Sequence, residues 1–382
     1  MRVLFSAHGA YGHLLPLIGL ARATAAAGHD VLVAVGDELC ETTEALGLRA
    51  VPAGLSDDAL VAEALRRRPQ LASEPPSGWA VRMFAEIAAP AMAADLDTVI
   101  RWWKPDLVVR EEGEYGAAVA AAAAGIPWVT HRWGTPAPAP ADVRRVDELV
   151  APLWNAVGLA PMPLIGAAVI DPCPRSLGQP DELAVSVRPT APTLGARGRT
   201  ATPQRRPAAY IGFGTVPLYR DRPALVEMAL DGLLVSGFAT VVVTTPDADL
   251  AARLRALGGE RVHVTRWVSL PDVLPACDLV IAHGGAGTVL SALMAGVPLL
   301  LLPAGSPSQL RMTEACVRRG VGLRADDNGA SAAILRAAID EVMGDHRFAD
   351  AARAVASEIA AMPPPEQVVP LLEDLGVARC RS

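Results

Sequence analysis

Apolar and polar positions along the chain follow two alternating patterns. Short, nearly continuous apolar runs such as RVLFSA and DVLVAVG have the length of strands that are buried on both faces of a sheet. Between them, LLPLIGLARATAAAG carries apolar residues at helical spacing and ends at Gly28, a residue typical of a helix C-cap. The order strand, helix, strand predicts a βαβ unit and therefore a parallel sheet.

The same pattern recurs through both halves of the chain. In the first half, DLVVR and IPWVTHRWG predict further strands, while residues 55–104 lose the strand pattern and favour helical segments. In the second half, we predict helices from about Ala224 to Leu234 and from about Ala248 to Leu257, between apolar strands. The expected fold class is therefore α/β, with two doubly wound parallel sheets in tandem.

Domain boundaries follow from a change of composition. Residues 186–207 are rich in Pro, Gly, Thr and Arg and show no periodicity, which indicates a linker. We place a first domain at 1–195, the linker at 196–207 and a second domain at 208–362. Residues 363–382 begin with three prolines and continue as one amphipathic helix. We expect this helix to cross back to the first domain.

Composition narrows the class of partner. With 382 residues, the chain exceeds one comfortable hydrophobic core, which agrees with two domains. Its net charge of -7 argues against nucleic acid or an anionic membrane as a partner, because both need a concentrated basic face. The 5 cysteines include no C-x-x-C pair, and no apolar run has the length of a membrane helix. We expect a cytoplasmic protein with small-molecule partners, as a monomer or a homodimer.

The stretch AHGGAGT joins a predicted strand to a predicted helix. Bare backbone N–H groups at a helix N-terminus form a ready anion site, and a diphosphate is the obvious ligand. His283 and Thr288 flank the turn and can donate hydrogen bonds. The predicted site comprises His283, Gly284, Gly285, Ala286, Gly287 and Thr288. The alternative is a tight strand-to-helix turn whose glycines serve only its backbone angles.

Two other features of the second half belong to the same predicted site. YIGFGT ends another strand at Gly214 and Thr215, where the carboxyl edge of a parallel sheet would offer a second phosphate contact. Trp267 follows a strand and could stack on a nucleobase, although a packed core tryptophan explains it equally well.

In the first half, GAYGHLLPL places His13 just before or in the first turn of the first helix. Because a helix N-terminus disfavours an imidazolium, the ring should stay neutral and accept a proton as a general base. His8 on the same loop is a rival, and a capping or packing histidine is the plainer alternative. A carboxylate would fix the tautomer of such a base. DLVVREEGEYG offers Glu111, which we prefer to Glu112 and Glu114.

These residues resemble the family 1 glycosyltransferases of the GT-B fold, especially the bacterial natural-product (antibiotic) type. The likeness spans nearly the whole chain and rests on GHLLPL, on RWVSLPDVLPACDLVIAHGGAGTVLSALMAGVPLLLLP and on SQLRMTEACVRRGVG. It implies two facing Rossmann-like domains with an interdomain cleft, the first binding an acceptor and the second a nucleotide sugar. It also implies inverting transfer without a metal ion or cofactor, with the dTDP- or UDP-sugar as co-substrate.

The resemblance implies a role for individual residues. His13 corresponds to the base and Glu111 to its acidic partner. Trp267 with Val268 corresponds to the base-binding pair, and Gln309 to the glutamine that binds the sugar. The positions that correspond to diphosphate contacts are Thr215, His283, Gly285, Gly287 and Thr288.

Two positions depart from the family's pattern. Ser308 stands where an acidic residue usually precedes the glutamine, and Met312 stands where an asparagine is common. A carboxylate that clamps two hydroxyls is thus missing, which weakens recognition of a fully hydroxylated sugar. We therefore expect a dTDP-deoxysugar rather than UDP-glucose as the donor.

The acceptor side depends on aromatic and apolar residues of the first half. Trp79, Met83, Phe84 and Trp133 could line an apolar cavity for a hydrophobic natural-product aglycone, although core packing accounts for any one of them equally well. An oxygen or a carbon nucleophile is compatible with the same residues.

Three other functions share parts of this pattern. A nicotinamide oxidoreductase would use Asp37 or Glu38 on a ribose, but HGAYGH lacks the glycines of G-x-G-x-x-G. A metal-dependent transferase needs D-x-D, and the match at residues 247–249 is better explained as a helix cap. A non-catalytic sugar-nucleotide-binding partner has no need of His13 and Glu111.

Overall fold

A computed structural model of the protein describes residues 1–70, 81–178, 183–192, 205–214, 222–325 and 331–378. The chain forms two compact units. Unit 1 comprises Met1–Cys173, Pro180–Pro192 and Met362–Ser382, and unit 2 comprises Pro174–Gln179 and Thr193–Ala361. Each unit is built around its own parallel sheet, so the predicted α/β class is confirmed.

Among its described residues, unit 1 contains a 7-stranded sheet in the order β3-β2-β1-β4-β5-β6-β7, with all neighbours parallel. The strands are β1 Arg2–Ser6, β2 Asp30–Val35, β3 Arg49–Pro52, β4 Leu107–Glu111, β5 Trp128–His131, β6 Val169–Asp171 and β7 Ala184–Ser186. β1 and β4 are buried almost throughout, which explains the apolar runs at residues 3–5 and 107–109.

Helices cover this sheet and supply most of the core. Their bounds are α1 Tyr11–Ala26, α2 Cys40–Ala45, α3 Asp57–Arg67, α4 Ala89–Trp103, α5 Gly116–Ala123 and α6 Pro140–Ala156. A π-helical segment, Met83–Ala88, leads directly into α4. α3 shows why such sequences become helices. The Ser56 side chain accepts the Ala59 N–H at its start, and acidic residues in its first turn and arginines in its last complement the helix dipole.

Unit 2 has, among its described residues, a 6-stranded parallel sheet in the order β10-β9-β8-β11-β12-β13. The strands are β8 Ala208–Gly212, β9 Thr240–Thr244, β10 Val262–Thr265, β11 Leu279–Ala282, β12 Leu299–Leu301 and β13 Gly322–Arg324. The helices are α7 Pro223–Val235, α8 Ala248–Gly258, α9 Leu270–Val273, α10 Ala286–Met294, α11 Pro307–Arg319, α12 Ala332–Gly344 and α13 His346–Ala361.

The strand order reverses once in each sheet, and this reversal positions the candidate residues. In unit 1, β1 lies between β2 and β4, and in unit 2, β8 lies between β9 and β11. The chain leaves two neighbouring strands in opposite directions at such a switch point, which opens a crevice at their carboxyl ends. The loop after β1 meets the end of β4 there, as the loop after β11 meets the end of β8.

The final helix, α14 Val369–Ala378, belongs to unit 1. His29 Nε2 lies 2.9 Å from Glu373 Oε1 on this helix, and a β-carbon on Gly376 would lie 2.7 Å from the Met1 sulfur. The helix therefore packs closely against the start of the chain.

Other expectations can be compared directly with the structure. Asp247 caps α8 by accepting the N–H groups of Asp249 and Leu250, so the D-x-D match is a helix cap, as predicted. The short strands β3, β6, β7 and β13 were not predicted. No described helix is both long and apolar enough to span a bilayer.

Candidate functional site

The first candidate residue stands at the start of α1. Ala10 is the N-cap, in extended conformation, and His13 is the third helical residue, with its N–H donating to the Ala10 carbonyl at 3.0 Å. The prediction that His13 lies in the first turn is therefore confirmed. Its side chain is 15% exposed, so the ring is partly open to a ligand.

His13 pairs with the last residue of β4. Its Nδ1 lies 2.7 Å from Oε1 of Glu111, whose side chain is 1% exposed. The other carboxylate oxygen accepts the Gly113 N–H at 2.6 Å and the Trp133 indole N–H at 2.6 Å. A carboxylate can only accept, so Nδ1 carries the proton towards Glu111 and Nε2 is the nitrogen with a free lone pair in the neutral ring.

The charges of the pair follow from this geometry. Burial alone would raise the pKa of Glu111, but the charge and hydrogen bond of His13 outweigh it and lower that pKa to about 2. Burial also acts to lower the pKa of His13, yet the charge and hydrogen bond of Glu111 raise it above its ordinary value. The direction expected from the helix N-terminus, a lowered pKa, was therefore wrong, because the charge and hydrogen bond of the adjacent Glu111 raise it.

The rival histidine is differently placed. His8 is buried, its Nε2 lies 2.9 Å from the Gly113 carbonyl, and burial lowers its pKa to about 4. Its ring stacks on Phe84 with centroids 4.8 Å apart. The ring is 4% exposed and its Nε2–H donates to the backbone, whereas His13 is more open, so the geometry favours His13.

The other two carboxylates have different partners. Glu114 is fully buried, accepts the Ser6 hydroxyl at 2.8 Å and the Ala117 N–H, and burial raises its pKa to about 7. Glu112 is half-buried and accepts the Trp133 backbone N–H at 3.5 Å. Of the three candidates in EEGEYG, Glu111 is the one that hydrogen-bonds to His13.

Two of the predicted acceptor residues contact the His13 ring. The Phe84 ring centroid lies 5.3 Å from that of His13, and the Trp133 centroid lies 5.0 Å away in an edge-on arrangement. Met83, next to Phe84, is buried, and its place in the acceptor cavity stays a prediction. Trp79 lies outside the described residues.

The glycine loop of unit 2 follows β11. Gly284 has φ +84, where a side chain would be strained, and its β-carbon would meet the Thr313 hydroxyl at 2.7 Å. Gly285 is the N-cap of α10 and makes no side-chain cap bond. The first N–H groups of a helix have no partner within it, and here they belong to Ala286, Gly287 and Thr288. The space beside Gly287 is open, so these amides are accessible, as an anion site requires, and the anion site itself stays a prediction.

His283 follows directly after β11 and begins this loop. Burial lowers its pKa to about 4, and a backbone hydrogen bond to Gly212 acts in the opposite direction. A β-carbon on Gly214, which has φ +80, would lie 2.9 Å from Cε1 of His283. The structure thus brings Gly214 and His283 together at the carboxyl ends of β8 and β11. Thr215 lies outside the described residues.

The remaining donor residues occupy the same edge of the sheet. Trp267 is half-buried and follows β10, while Val268 beside it is buried. Gln309 in the first turn of α11 is 5% exposed, and its Oε1 accepts the Ala304 N–H at 3.0 Å. The carboxamide orientation is therefore fixed, with its NH2 group as the donor. Ser308 bonds to the Ser306 hydroxyl at 3.1 Å.

Sequence reasoning missed the support of the His13–Glu111 pair. Gly113 was not singled out, although its N–H binds Glu111 and its carbonyl accepts from His8. The indole N–H of Trp133 was likewise assigned no partner. Gly113 in EEGEYG was the available signal, since a glycine permits a close approach of the backbone to another group.

Two parallel-sheet units define the class of protein. One carries an imidazole–carboxylate pair at its switch point, and the other carries a glycine-rich helix N-terminus at the equivalent place. This combination is the one expected of a GT-B glycosyltransferase.

Comparison with known proteins identifies the family. The N-terminal and C-terminal domains described as "Erythromycin biosynthesis protein CIII-like" match residues 22–196 and 233–375. The chain belongs to this family and is a glycosyltransferase. L-demethylnoviosyl transferase from Streptomyces niveus is 31% identical over 96% of this chain and 96% of its own. TDP-daunosamine transferase DnrS from Streptomyces peucetius is 28% identical, over 100% of this chain and 98% of its own.

The solved structures show the same fold. Spinosyn rhamnosyltransferase SpnG has a TM-score of 0.80 and 26% identity, covering 98% of this chain and 100% of its own. Its structure has also been determined with thymidine diphosphate and with spinosyn aglycone, with TM-scores of 0.77. The GT-B fold class is thereby confirmed.

Proposed function

We propose that this glycosyltransferase moves a deoxysugar from a dTDP-sugar to a hydroxyl group of an apolar natural-product aglycone, with inversion at the anomeric carbon. The observation that carries the proposal is the 2.7 Å contact between His13 Nδ1 and Glu111 Oε1. The relatives support the substrate classes, since one is named for TDP-daunosamine and another was solved with thymidine diphosphate and with an aglycone.

The reaction begins with proton transfer to His13. Glu111 holds the Nδ1–H, so the lone pair on Nε2 accepts the proton of the acceptor hydroxyl. The hydroxyl oxygen forms a bond to the anomeric carbon as the bond from that carbon to the diphosphate oxygen breaks. The electron pair leaves with the diphosphate, and the proton remains on Nε2, where Glu111 stabilises the imidazolium. A single displacement inverts the anomeric centre.

The leaving group needs stabilisation of its growing charge. The amides of Ala286, Gly287 and Thr288 at the start of α10 are fixed dipoles that do not reorganise during the reaction. We therefore expect the transfer to proceed without a metal ion. His283 beside Gly214 is uncharged at neutral pH, and a bound phosphate oxygen would raise its pKa.

The sugar site favours a donor with fewer hydroxyls. Gln309 offers its NH2 group, because its carbonyl oxygen is already engaged by Ala304. Ser308 supplies a hydroxyl that bonds to Ser306 instead of a carboxylate that could accept two sugar hydroxyls. These residues recognise at most part of a fully hydroxylated hexose.

The acceptor site favours a flat apolar molecule. The rings of Phe84 and Trp133 both contact the His13 imidazole, and aromatic faces attract conjugated aglycones by stacking and by burial of apolar surface. An acceptor hydroxyl held between these rings would reach Nε2 of His13.

The proposal is tested by donor competition with a polyketide aglycone panel. Equimolar dTDP-deoxysugars and UDP-glucose are offered, and products are separated by liquid chromatography and their anomeric configuration assigned by NMR. We expect inverted deoxyglycosides to predominate. A clear preference for UDP-glucose contradicts the donor assignment, and retention contradicts the single displacement. Binding of dTDP without transfer to any acceptor would favour a non-catalytic binding partner.

A further inference from the structure

Trp133 contacts both members of the catalytic pair. Its indole N–H donates to Glu111 Oε2 at 2.6 Å, and its ring meets the His13 ring edge-on at 5.0 Å between centroids. The residue lies two positions beyond β5, and β5 pairs with β4, where Glu111 ends the strand. Its backbone N–H is also held, by Glu112 at 3.5 Å. The side chain is therefore oriented by contacts at both ends.

Gly113 makes this arrangement sterically feasible. A β-carbon at this position would lie 2.6 Å from Cζ2 of Trp133, a separation that real side chains do not adopt. Glycine thus lets the indole approach the loop closely enough to reach Glu111, while its own N–H binds the same carboxylate oxygen. The Arg110 guanidinium fixes the backbone around Gly113. It donates to the backbone carbonyls of residues 111, 112 and 114.

We propose that Trp133 is a positioning residue, whose indole N–H holds Oε2 of Glu111 so that Oε1 faces Nδ1 of His13. This inference rests on the proposed function and deepens it. Besides contacting the acceptor, Trp133 would hold the carboxylate that supports the general base. The two oxygens of Glu111 have different hydrogen-bond partners. Oε2 accepts from Gly113 and Trp133, and Oε1 accepts from His13.

The anchor also sets how strongly Glu111 acts on His13. Without the Trp133 donor, Oε2 of Glu111 keeps only the Gly113 N–H, so Oε1 is held less firmly against Nδ1 and the carboxylate acts less strongly on the imidazole. Because Glu111 raises the pKa of His13, that pKa should then fall. The other groups that act on His13 are Asp57 at the start of α3, Glu112, and the uncharged ring of His8, and none of them is altered by the change.

The test compares Trp133→Phe with Trp128→Phe. Phenylalanine keeps an aromatic ring against His13 and removes the N–H together with the second ring of the indole. Trp128 provides the matched control, since its indole N–H donates to the Leu164 carbonyl at 3.0 Å in the same unit and no contact links it to His13. The pKa of His13 is measured by NMR titration of labelled imidazoles in the intact protein, so the result does not require transfer activity.

We expect Trp133→Phe to lower the pKa of His13 by about half a unit or more, and kcat to fall about tenfold with little change in acceptor KM, because Glu111 supports the base less well. Trp128→Phe should leave that pKa unchanged. An unchanged or raised pKa of His13 in Trp133→Phe overturns the proposal, and a rise in acceptor KM alone would limit the role of Trp133 to contact with the acceptor. A wild-type protein without transfer would refute the proposed function, while the titration would still decide the role of Trp133.

A second substitution guards against misfolding of Trp133→Phe. Replacement of Trp133 by benzothienylalanine keeps the bicyclic shape and exchanges the N–H for sulfur, so packing is preserved. The same fall in the pKa of His13 is expected. If the pKa stays at the wild-type value in this folded variant, the indole N–H does not act on Glu111.

Discussion

The imidazole of His283 occupies the space that a side chain at Gly285 would need. A β-carbon on Gly285 would lie 2.4 Å from Nε2 and 2.8 Å from Cε1 of His283. The ring and the N-cap of α10 are therefore in direct contact, and the glycine is required for this approach. The candidate diphosphate site is consequently sensitive to the smallest change at this position.

Gly285→Ala should displace His283 and weaken donor binding. Overpacking of a buried contact typically costs about 1–3 kcal/mol, so the free energy of unfolding should fall by that amount. The affinity for dTDP, measured by calorimetry, should fall about tenfold or more. Gly344→Ala is the control, because a β-carbon there meets nothing within 4 Å. Normal dTDP affinity in a folded Gly285→Ala would show that this loop does not hold the diphosphate.

Glu111→Gln should shift the pH dependence of the reaction to lower pH. His13 must be neutral to accept a proton, so kcat/KM falls as pH drops through its pKa, which Glu111 raises. Removing the charge leaves burial as the largest influence, and burial lowers that pKa. The acidic limb should therefore move down, while the maximal rate falls about tenfold or more because the imidazolium loses its counter-charge.

The control for this profile is Glu227→Gln, which removes an exposed carboxylate paired with Arg253 in unit 2. It should leave the profile in place. If the acidic limb of Glu111→Gln stays where it is in the wild type, His13 is not the group that the profile reports.

Ser308→Asp should change the preference between donors. The new carboxylate would stand beside Gln309 and accept hydroxyls that a deoxysugar lacks. We expect the ratio of kcat/KM for UDP-glucose to that for a dTDP-deoxysugar to rise about tenfold. Ser308→Asn, which has a similar size and no charge, should raise it much less. Equal ratios in both variants would remove Ser308 from donor selection.

Metal dependence is tested by chelation. The proposed charge stabilisation comes from the first amides of α10, so prior treatment with EDTA should leave the transfer rate within experimental error of the untreated enzyme. Added Mg²⁺ should not accelerate it. Loss of activity on chelation, with recovery on adding Mg²⁺, would refute the metal-free mechanism.

The sequence predicted those parts of the site that are encoded locally. AHGGAGT lies between a strand and a helix, so the glycine-rich helix start around Gly285 was predicted without tertiary information. The position of His13 followed in the same way from the start of α1. Strands β6, β7 and β13 were missed because 3 residues are too few to show a periodic pattern.

Other features depended on contacts between distant segments. Gly113 and Trp133 converge on Glu111 only when β4 and β5 pair, and no local pattern encodes an indole N–H aimed at a carboxylate. The sign of the pKa shift of His13 was wrong for the same reason. The sequence shows where the helix begins. The contact between Glu111 and His13, which raises the pKa of His13, is a tertiary property.

His13→Ala tests the central claim most directly. The account predicts that kcat falls by roughly two to four orders of magnitude, because the general base is removed. The affinity for dTDP should stay within about twofold of the wild type, since α10 is untouched. His263→Ala, which removes an exposed imidazole on β10, should behave as the wild type. Wild-type turnover in a folded His13→Ala enzyme would contradict the account.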